Sequence, residues 1–525
     1  MWFKYGVSVV LFVCCLPSNA QKDEAWFNKD YERDGILGIS VNRSFEAFKD
    51  RKSESVVVAI IDSGVDIDHQ DIKKNLWVNL NEIPDNGIDD DGNGYVDDIH
   101  GWNFLGGSDG QNIITETYGE VRHYRALRDS LANKDTLNLS PKDSKYFSEL
   151  KSTRKSITNK FENSRKELAA LADFDETLSR VKFLLQPYVA GETLTEELIK
   201  SIESSDERVL AAKGIMQQLL ANGFREKEYE DYKEYHRVRS SFHYNIDYDP
   251  RPIVGDDPND PFERFYGNND VHGEGHAAHG THVAGIIGAS RDDIGMSGIA
   301  RDVKLMILRA VPDGDERDKD IANAILYAVE NGAKVINMSF GKGHSPHKKA
   351  VDRAVKYAES QDVLIVHAAG NAAVNIDEAI HYPIRTFENG LVAKNWIEVG
   401  ASDRLPNEYL LADFTNYGKR EVDLFAPGVD IYSTEPGNQY AENSGTSMAA
   451  PVVSGLAAVV WSYFPELSCL ELKEIILKSA MPLGNLKVLY PNTGERTKKA
   501  KLKKLSATGG IANLYRALQM ADTKF

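Results

Sequence analysis

The chain has 525 residues, a formal charge of −17 and 42% hydrophobic residues, which leaves room for one large core or two to four ordinary domains. Its acidic balance argues against nucleic acid and anionic membrane surfaces as partners, because both repel a negative protein. Ordinary hydrophobic content makes a globular protein the default and a fibrous or disordered one unexpected.

Lys4, the apolar run Val7 to Leu16 and then Ser18-Asn19-Ala20 before Gln21 read as a secretory signal peptide over residues 1–20. The run is too short to span a bilayer, so no stable membrane insertion is expected after cleavage. Export to the periplasm or cell envelope, or to the medium, follows from that reading. Removal of the signal also removes Cys14 and Cys15, leaving Cys469 alone and the mature chain without an internal disulfide. Residues 21–55 are short and polar, and are expected to dock on a domain spanning 56–525.

That domain opens with Val56-Val57-Val58-Ala59-Ile60-Ile61, a β-branched run typical of a strand buried on both faces of a parallel sheet. Asp62 ends it, where α/β folds place their sites. In the loop that follows, Asp89, Asp91 and Asn93 alternate, Gly94 supplies the turn and Asp97 comes four residues after Asn93. Hard cations want six to eight oxygens, and this spacing offers several from one loop, so calcium is expected there. His100 stands where an EF-hand has its bidentate glutamate, so a complete EF-hand is not expected.

Residues 111–242 change character. Leu171, Phe174, Leu178, Val181 and Leu185 fall on one helical face. Thr193 with Glu196, and Ser204 with Glu207, have the spacing of capping boxes, with Pro187 and Gly191 as punctuation. The segment is expected to be a mostly helical insertion of at least three helices, serving as a lid, a partner contact or an internal inhibitor.

His279-Gly280-Thr281-His282 opens a helix in which Gly280, Ala284 and Gly288 share a face, so it should pack close to a neighbour. His279 and His282 lack the H-E-x-x-H pattern of a zinc site, and no organic cofactor motif occurs. From there strand and helix alternate. Strands are expected at Val303–Arg309, Lys334–Phe340 and Val363–Ala369, and helices at Asp320–Asn331 and Lys348–Ser360. This order predicts a parallel sheet with helices on both faces. The stretches Ala412–Gly418 and Val422–Gly428 read as further strands, and helices are expected near Leu470–Ser479 and Ile511–Ala521.

Ser444-Gly445-Thr446-Ser447-Met448-Ala449-Ala450-Pro451 precedes a run of small and apolar residues that reads as a buried helix, with Pro451 tolerated in its first turn. Ser447 there is either an ordinary helix cap or a nucleophile at the positive end of a helix dipole. Acyl transfer needs a base, an acid to orient it and donors for the oxyanion, and His279, Asp62 and Asn371 supply them. The chain order Asp, His, Ser excludes the α/β-hydrolase order and its G-x-S-x-G, since Ala449 fills the last position.

Ala59–Gly64, His279–Gly285, Ala368–Asn371 and Gly445–Pro451 together resemble the motifs of the subtilisin-like serine peptidases (subtilases). The resemblance covers about 35–105 and 243–520 and leaves out the helical insertion. It implies a three-layer α/β/α fold with a mainly parallel sheet and a polypeptide substrate hydrolysed through an acyl-enzyme. In that reading Ser447 is the nucleophile, His279 the base, Asp62 its orienting acid and Asn371 an oxyanion donor. Ser339, Phe340 and Gly341 would pair with the substrate backbone, beside Gly370. The competing reading is a catalytically silent subtilase fold serving as an envelope binding or scaffolding module.

Overall fold

The computed structural model describes residues 25–135, 138–189, 194–273, 275–292, 294–492, 494 and 496–524. The signal peptide expected over 1–20, and Gly191 and Thr193, lie outside the described residues. The strands are β1 (Val56–Asp62), β2 (Gly101–Asn103), β3 (Val303–Arg309), β4 (Val335–Met338), β5 (Leu364–Ala368), β6 (Trp396–Ser402), β7 (Leu424–Pro427), β8 (Ile431–Glu435), β9 (Gln439–Asn443), β10 (Met481–Pro482), β11 (Lys487–Leu489), β12 (Lys499–Lys501) and β13 (Gly510–Ile511). Nine of them form one sheet in the order β10-β13-β7-β6-β5-β4-β1-β3-β2. Every pairing in it is parallel except that of β10 with β13.

The α-helices are α1 (Tyr31–Asp34), α2 (Val41–Ala47), α3 (Gly119–Leu131), α4 (Pro141–Val189), α5 (Glu196–Ser201), α6 (Glu207–Ala221), α7 (Glu226–Val238), α8 (Ala278–Gly288), α9 (Asp318–Glu330), α10 (Lys348–Ser360), α11 (Thr446–Tyr463), α12 (Cys469–Ser479) and α13 (Leu514–Asp522). Successive strand side chains point to opposite faces, so each central strand feeds two cores. Val58 and Ile60 join the cluster under α8 and α11, whereas Ala59 and Ile61 join the one under α9 and α10. The result is a helix–sheet–helix sandwich, as the β-branched run at 56–61 implies. By composition α11 could cross a membrane, but it is 94% buried and is the central helix of the core.

Before the sheet, Trp26, Phe27, Ile39 and Val41 join the α8–α11 core, and Leu37 N donates to Arg404 O at 2.8 Å. The insertion is helical, with α3 to α7 inside 111–242. Leu178, Val181 and Leu185 of α4 bury their expected face against Ile199, Val209, Ala212 and Met216. A second small cluster, Val121, Tyr124, Ile157 and Tyr244, lies nearer the sheet.

Several local expectations fail for identifiable reasons. Thr195 caps α5 by accepting from Leu198 N at 3.2 Å. Ser204 turns its hydroxyl to Asp206 N, and Asp206 caps α6. Both caps sit two residues later than expected, and at α6 the Ser204 hydroxyl closes a turn instead. Pro187 lies inside α4, which continues to Val189. Residues 412–418 form an irregular turn rather than a strand, and Ile511 belongs to β13, with α13 starting at Leu514. Strand β6 and the hairpin β8–β9 carry no simple alternation and are not legible in the sequence.

Candidate active site

The C-terminal ends of β1, β4 and β5 converge with the N-termini of α8 and α11. Asp62 ends β1 and is 2% exposed; its Oδ1 accepts from Ser63 N at 2.8 Å and lies 2.7 Å from His279 Nδ1. His279 is the second residue of α8. The close approach depends on Gly280: a Cβ there would sit 2.1 Å from Gly64 O and 3.3 Å from the Asp62 Cβ. Gly288 repeats the device against Val303, so the small-residue face seats α8 against β1 and β3 as its spacing implies.

With Nδ1 taken by Asp62, the other ring nitrogen of His279 faces the cleft, and its side chain is 40% exposed. Burial opposes the imidazolium, but the Asp62 carboxylate, by charge and hydrogen bond, and Glu435, by charge, outweigh it and raise the His279 pKa. Glu435 ends β8, where burial raises its own pKa, and Asn443 Nδ2 donates to it at 3.0 Å. The charge of Lys227, at the start of α7, acts weakly in the opposite direction on Glu435. His282 is buried with Nε2 3.2 Å from Ala441 O, and burial pushes its pKa down to about 4. It is a neutral packing residue.

Ser447 is the second residue of α11 and half-buried. Its amide has no intrahelical acceptor and belongs to the free donors of a helix start. Its Oγ donates to Ser339 O at 3.1 Å, and Ser339 Oγ donates back to Ser447 O at 2.9 Å. Pro451 explains the second bond. It lies in the second turn rather than the first, and, lacking an N–H, it leaves the Ser447 carbonyl, four residues earlier, free to accept. Asn337 Nδ2 donates to Ser339 Oγ, and Ser454 Oγ donates to Asn337 Oδ1, both at 2.9 Å in full burial. No hydrogen bond joins Ser447 to His279; such contacts are often long without substrate.

Asn371 follows β5 and is exposed. Its Oδ1 accepts from both Thr446 N and Thr446 Oγ1 at 2.9 Å, and Gly370 N donates to Thr446 Oγ1 at 3.0 Å. That fixes the amide's orientation and leaves its Nδ2 without a partner among the described residues, beside Gly445 and the helix start. Thr446, Asn337 and Ser454 were not singled out by sequence reasoning. Only the position of Thr446 next to Ser447 hinted at a role.

Ser339, Phe340 and Gly341 continue past the end of β4 beside Gly370, which follows β5. In the acidic loop, Asp91 comes together with Glu82 and Asp98, whose oxygens lie within 4.8 Å of one another. Asp89 accepts from Asn93 N and Gly94 N, Asn93 Oδ1 from Tyr95 N, and Asp97 from Asn86 N and Gly87 N. Glu82 and Asp98 had not been singled out, Glu82 lying seven residues before Asp89 and Asp98 directly after Asp97.

The sequence model of the subtilase family matches residues 53–511, so the chain belongs to that family. The chain spans 42% and 71% of the lengths of the two curated relatives described next. A thermophilic serine proteinase from Bacillus sp. (strain AK1) is 44% identical over 186 residues, 35% of this chain and 42% of the relative. Subtilisin BL from Lederbergia lenta is 38% identical over 209 residues, 39% of this chain and 71% of its own length. Among solved structures, the protease domain of PatA is 27% identical, with a TM-score of 0.38 over 48% of this chain and 82% of that one.

Proposed function

We propose that this protein is an exported serine endopeptidase that hydrolyses polypeptides through an acyl-enzyme on Ser447. The observation that carries the reading is the 2.7 Å contact of His279 with Asp62, at the sheet edge shared with Ser447 and Asn371. In this mechanism Ser447 Oγ leaves Ser339 O and attacks the scissile carbonyl carbon while His279 Nε2 takes its proton. Asp62 holds the imidazole through Nδ1 and stabilises the imidazolium. The tetrahedral oxyanion is met by Asn371 Nδ2–H and the Ser447 N–H. His279 returns the proton to the leaving amine, and water then hydrolyses the ester by the same relay. The substrate backbone adds as a strand along Ser339, Phe340 and Gly341.

Export rests on the signal-peptide reading of residues 1–20. A structural Ca2+ fits the oxygens of Glu82, Asp91 and Asp98, hard ligands of the kind such an ion takes, and would brace a fold whose described residues hold no disulfide. Thorough chelation should lower the thermal midpoint of the purified protein, and calcium should restore it. An unchanged midpoint would remove the ion from this account.

The direct test is labelling by a fluorophosphonate probe, with peptide mapping and a Ser447→Ala control. Label confined to Ser447 is expected. A folded, calcium-replete protein that takes no label would instead be a silent binding module.

A further inference from the structure

His381 takes no part in the chemistry above, yet it stands against both glycines that flank the site. A Cβ built on Gly341 would lie 2.1 Å from His381 Nε2, and one on Gly370 would lie 2.9 Å from it. Real Cβ atoms do not approach so closely, so the imidazole occupies the space beside both backbones. Those two segments are parallel neighbours while they belong to β4 and β5, where Met338 pairs with His367. Beyond the strand ends they run on as Ser339–Gly341 and Ala369–Asn371, and the gap between them opens toward Ser447 and Asn371.

A substrate carbonyl whose oxygen points at Asn371 Nδ2 and whose backbone runs along Ser339–Gly341 must send its own side chain into that gap. The imidazole of His381 is held there by its surroundings. Lys342 N donates to Tyr382 O at 2.8 Å and Tyr382 N to Lys342 O at 2.9 Å, pinning the chain next to it. The His367 ring lies 6.1 Å behind, itself fixed by contacts of 2.9 Å to Phe340 O and Glu398 Oε1. Burial pushes the His381 pKa down to about 4, so the ring is neutral at ordinary pH and has no charge with which to recruit an acidic side chain. Its effect there is steric.

We infer that His381 is the specificity-determining residue of this enzyme, closing the pocket for the residue that donates the scissile carbonyl so that only glycine, alanine or serine side chains fit. The inference rests on the acyl-enzyme reading of Ser447. Overfilling a closed pocket costs about 10–200-fold for small increments of size, and phenylalanine exceeds alanine by a whole ring.

The test compares kcat/KM for two peptides differing only at that residue, alanine or phenylalanine, in the wild type, His381→Gly and His381→Ala. The fluorophosphonate label at Ser447 is measured in parallel. The wild type should prefer alanine by at least about tenfold, and both substitutions should raise the phenylalanine-to-alanine ratio by a similar factor. A merely structural role would change both peptides alike and leave that ratio fixed. A wild type that cleaves the phenylalanine peptide as well as the alanine one overturns the inference, whether or not the variants fold. A labelled variant with an unchanged ratio overturns it too. Absence of label on the wild type defeats the acyl-enzyme reading instead.

Discussion

The sheet sandwich and the helical insertion are built on opposite principles. In the sandwich, Val58, Ala59, Ile60 and Ile61 are all 0% exposed, and alternate residues lock into two cores. In the insertion, the 49-residue α4 buries only scattered positions, such as Ile157, Leu178 and Leu185. Phe183 remains 74% exposed, and ion pairs such as Arg180–Glu176 lie on the surface, where they contribute little. A doubly buried strand cannot shift without breaking both cores, so its C-terminal end is a rigid mount for Asp62. The insertion, stabilised by two small clusters, is suited to move or open locally. Asp62 is mounted on the first region, whereas Lys227 and the rest of α4 to α7 belong to the second.

The largest expected effect tests the rigid region. Ser447→Ala should lower kcat by about six orders of magnitude, the scale for loss of a triad nucleophile, with the thermal midpoint unmoved. Asn371→Ala should lower kcat by about 10²–10³-fold with KM little changed, because the amide acts on the transition state. A KM effect alone would place Asn371 in substrate binding instead.

A matched pair of cavities separates the regions directly. Leu305→Ala, in the sandwich, should cost about 2–5 kcal/mol of global stability, read as a lower midpoint in denaturant. Leu185→Ala, equally buried, should loosen the insertion locally, read as faster proteolysis within 141–221 while Ser447 still labels. If Leu185→Ala lowers the global transition as much as Leu305→Ala, the two regions form one cooperative unit and the contrast fails.

The smallest effect concerns pH. The His279 pKa is raised above the ordinary histidine value, so the base is protonated and idle at low pH, and kcat/KM should climb as pH passes through that raised value. Glu435→Gln removes one of the negative charges stabilising the imidazolium. The acid limb should therefore move to lower pH by a fraction of a unit. An unmoved limb would mean that Glu435 does not act on the base.

Legibility followed range along the chain. The strand at 56–61, α10 at 348–360 and the α4 face through Leu178 and Leu185 were readable because periodicity is set by neighbours a few residues apart. The α6 cap went astray because Ser204 and Asp206 competed within one turn. In the acidic loop, Asp91 belonged to the local pattern, whereas its companions Glu82 and Asp98 come together only when the loop folds back.

The sequence by itself determined the alternating α/β architecture, the helical insertion and the four motif residues Asp62, His279, Asn371 and Ser447. The tertiary structure decided what holds them: the Gly280–Gly64 contact, the Ser339–Ser447 exchange of hydrogen bonds, the Thr446 brace on Asn371, and His381 between Gly341 and Gly370. Each joins segments far apart in the chain, up to 216 residues in the case of Gly64 and Gly280. Local propensity cannot encode such a meeting; packing of the sheet and its helices creates it.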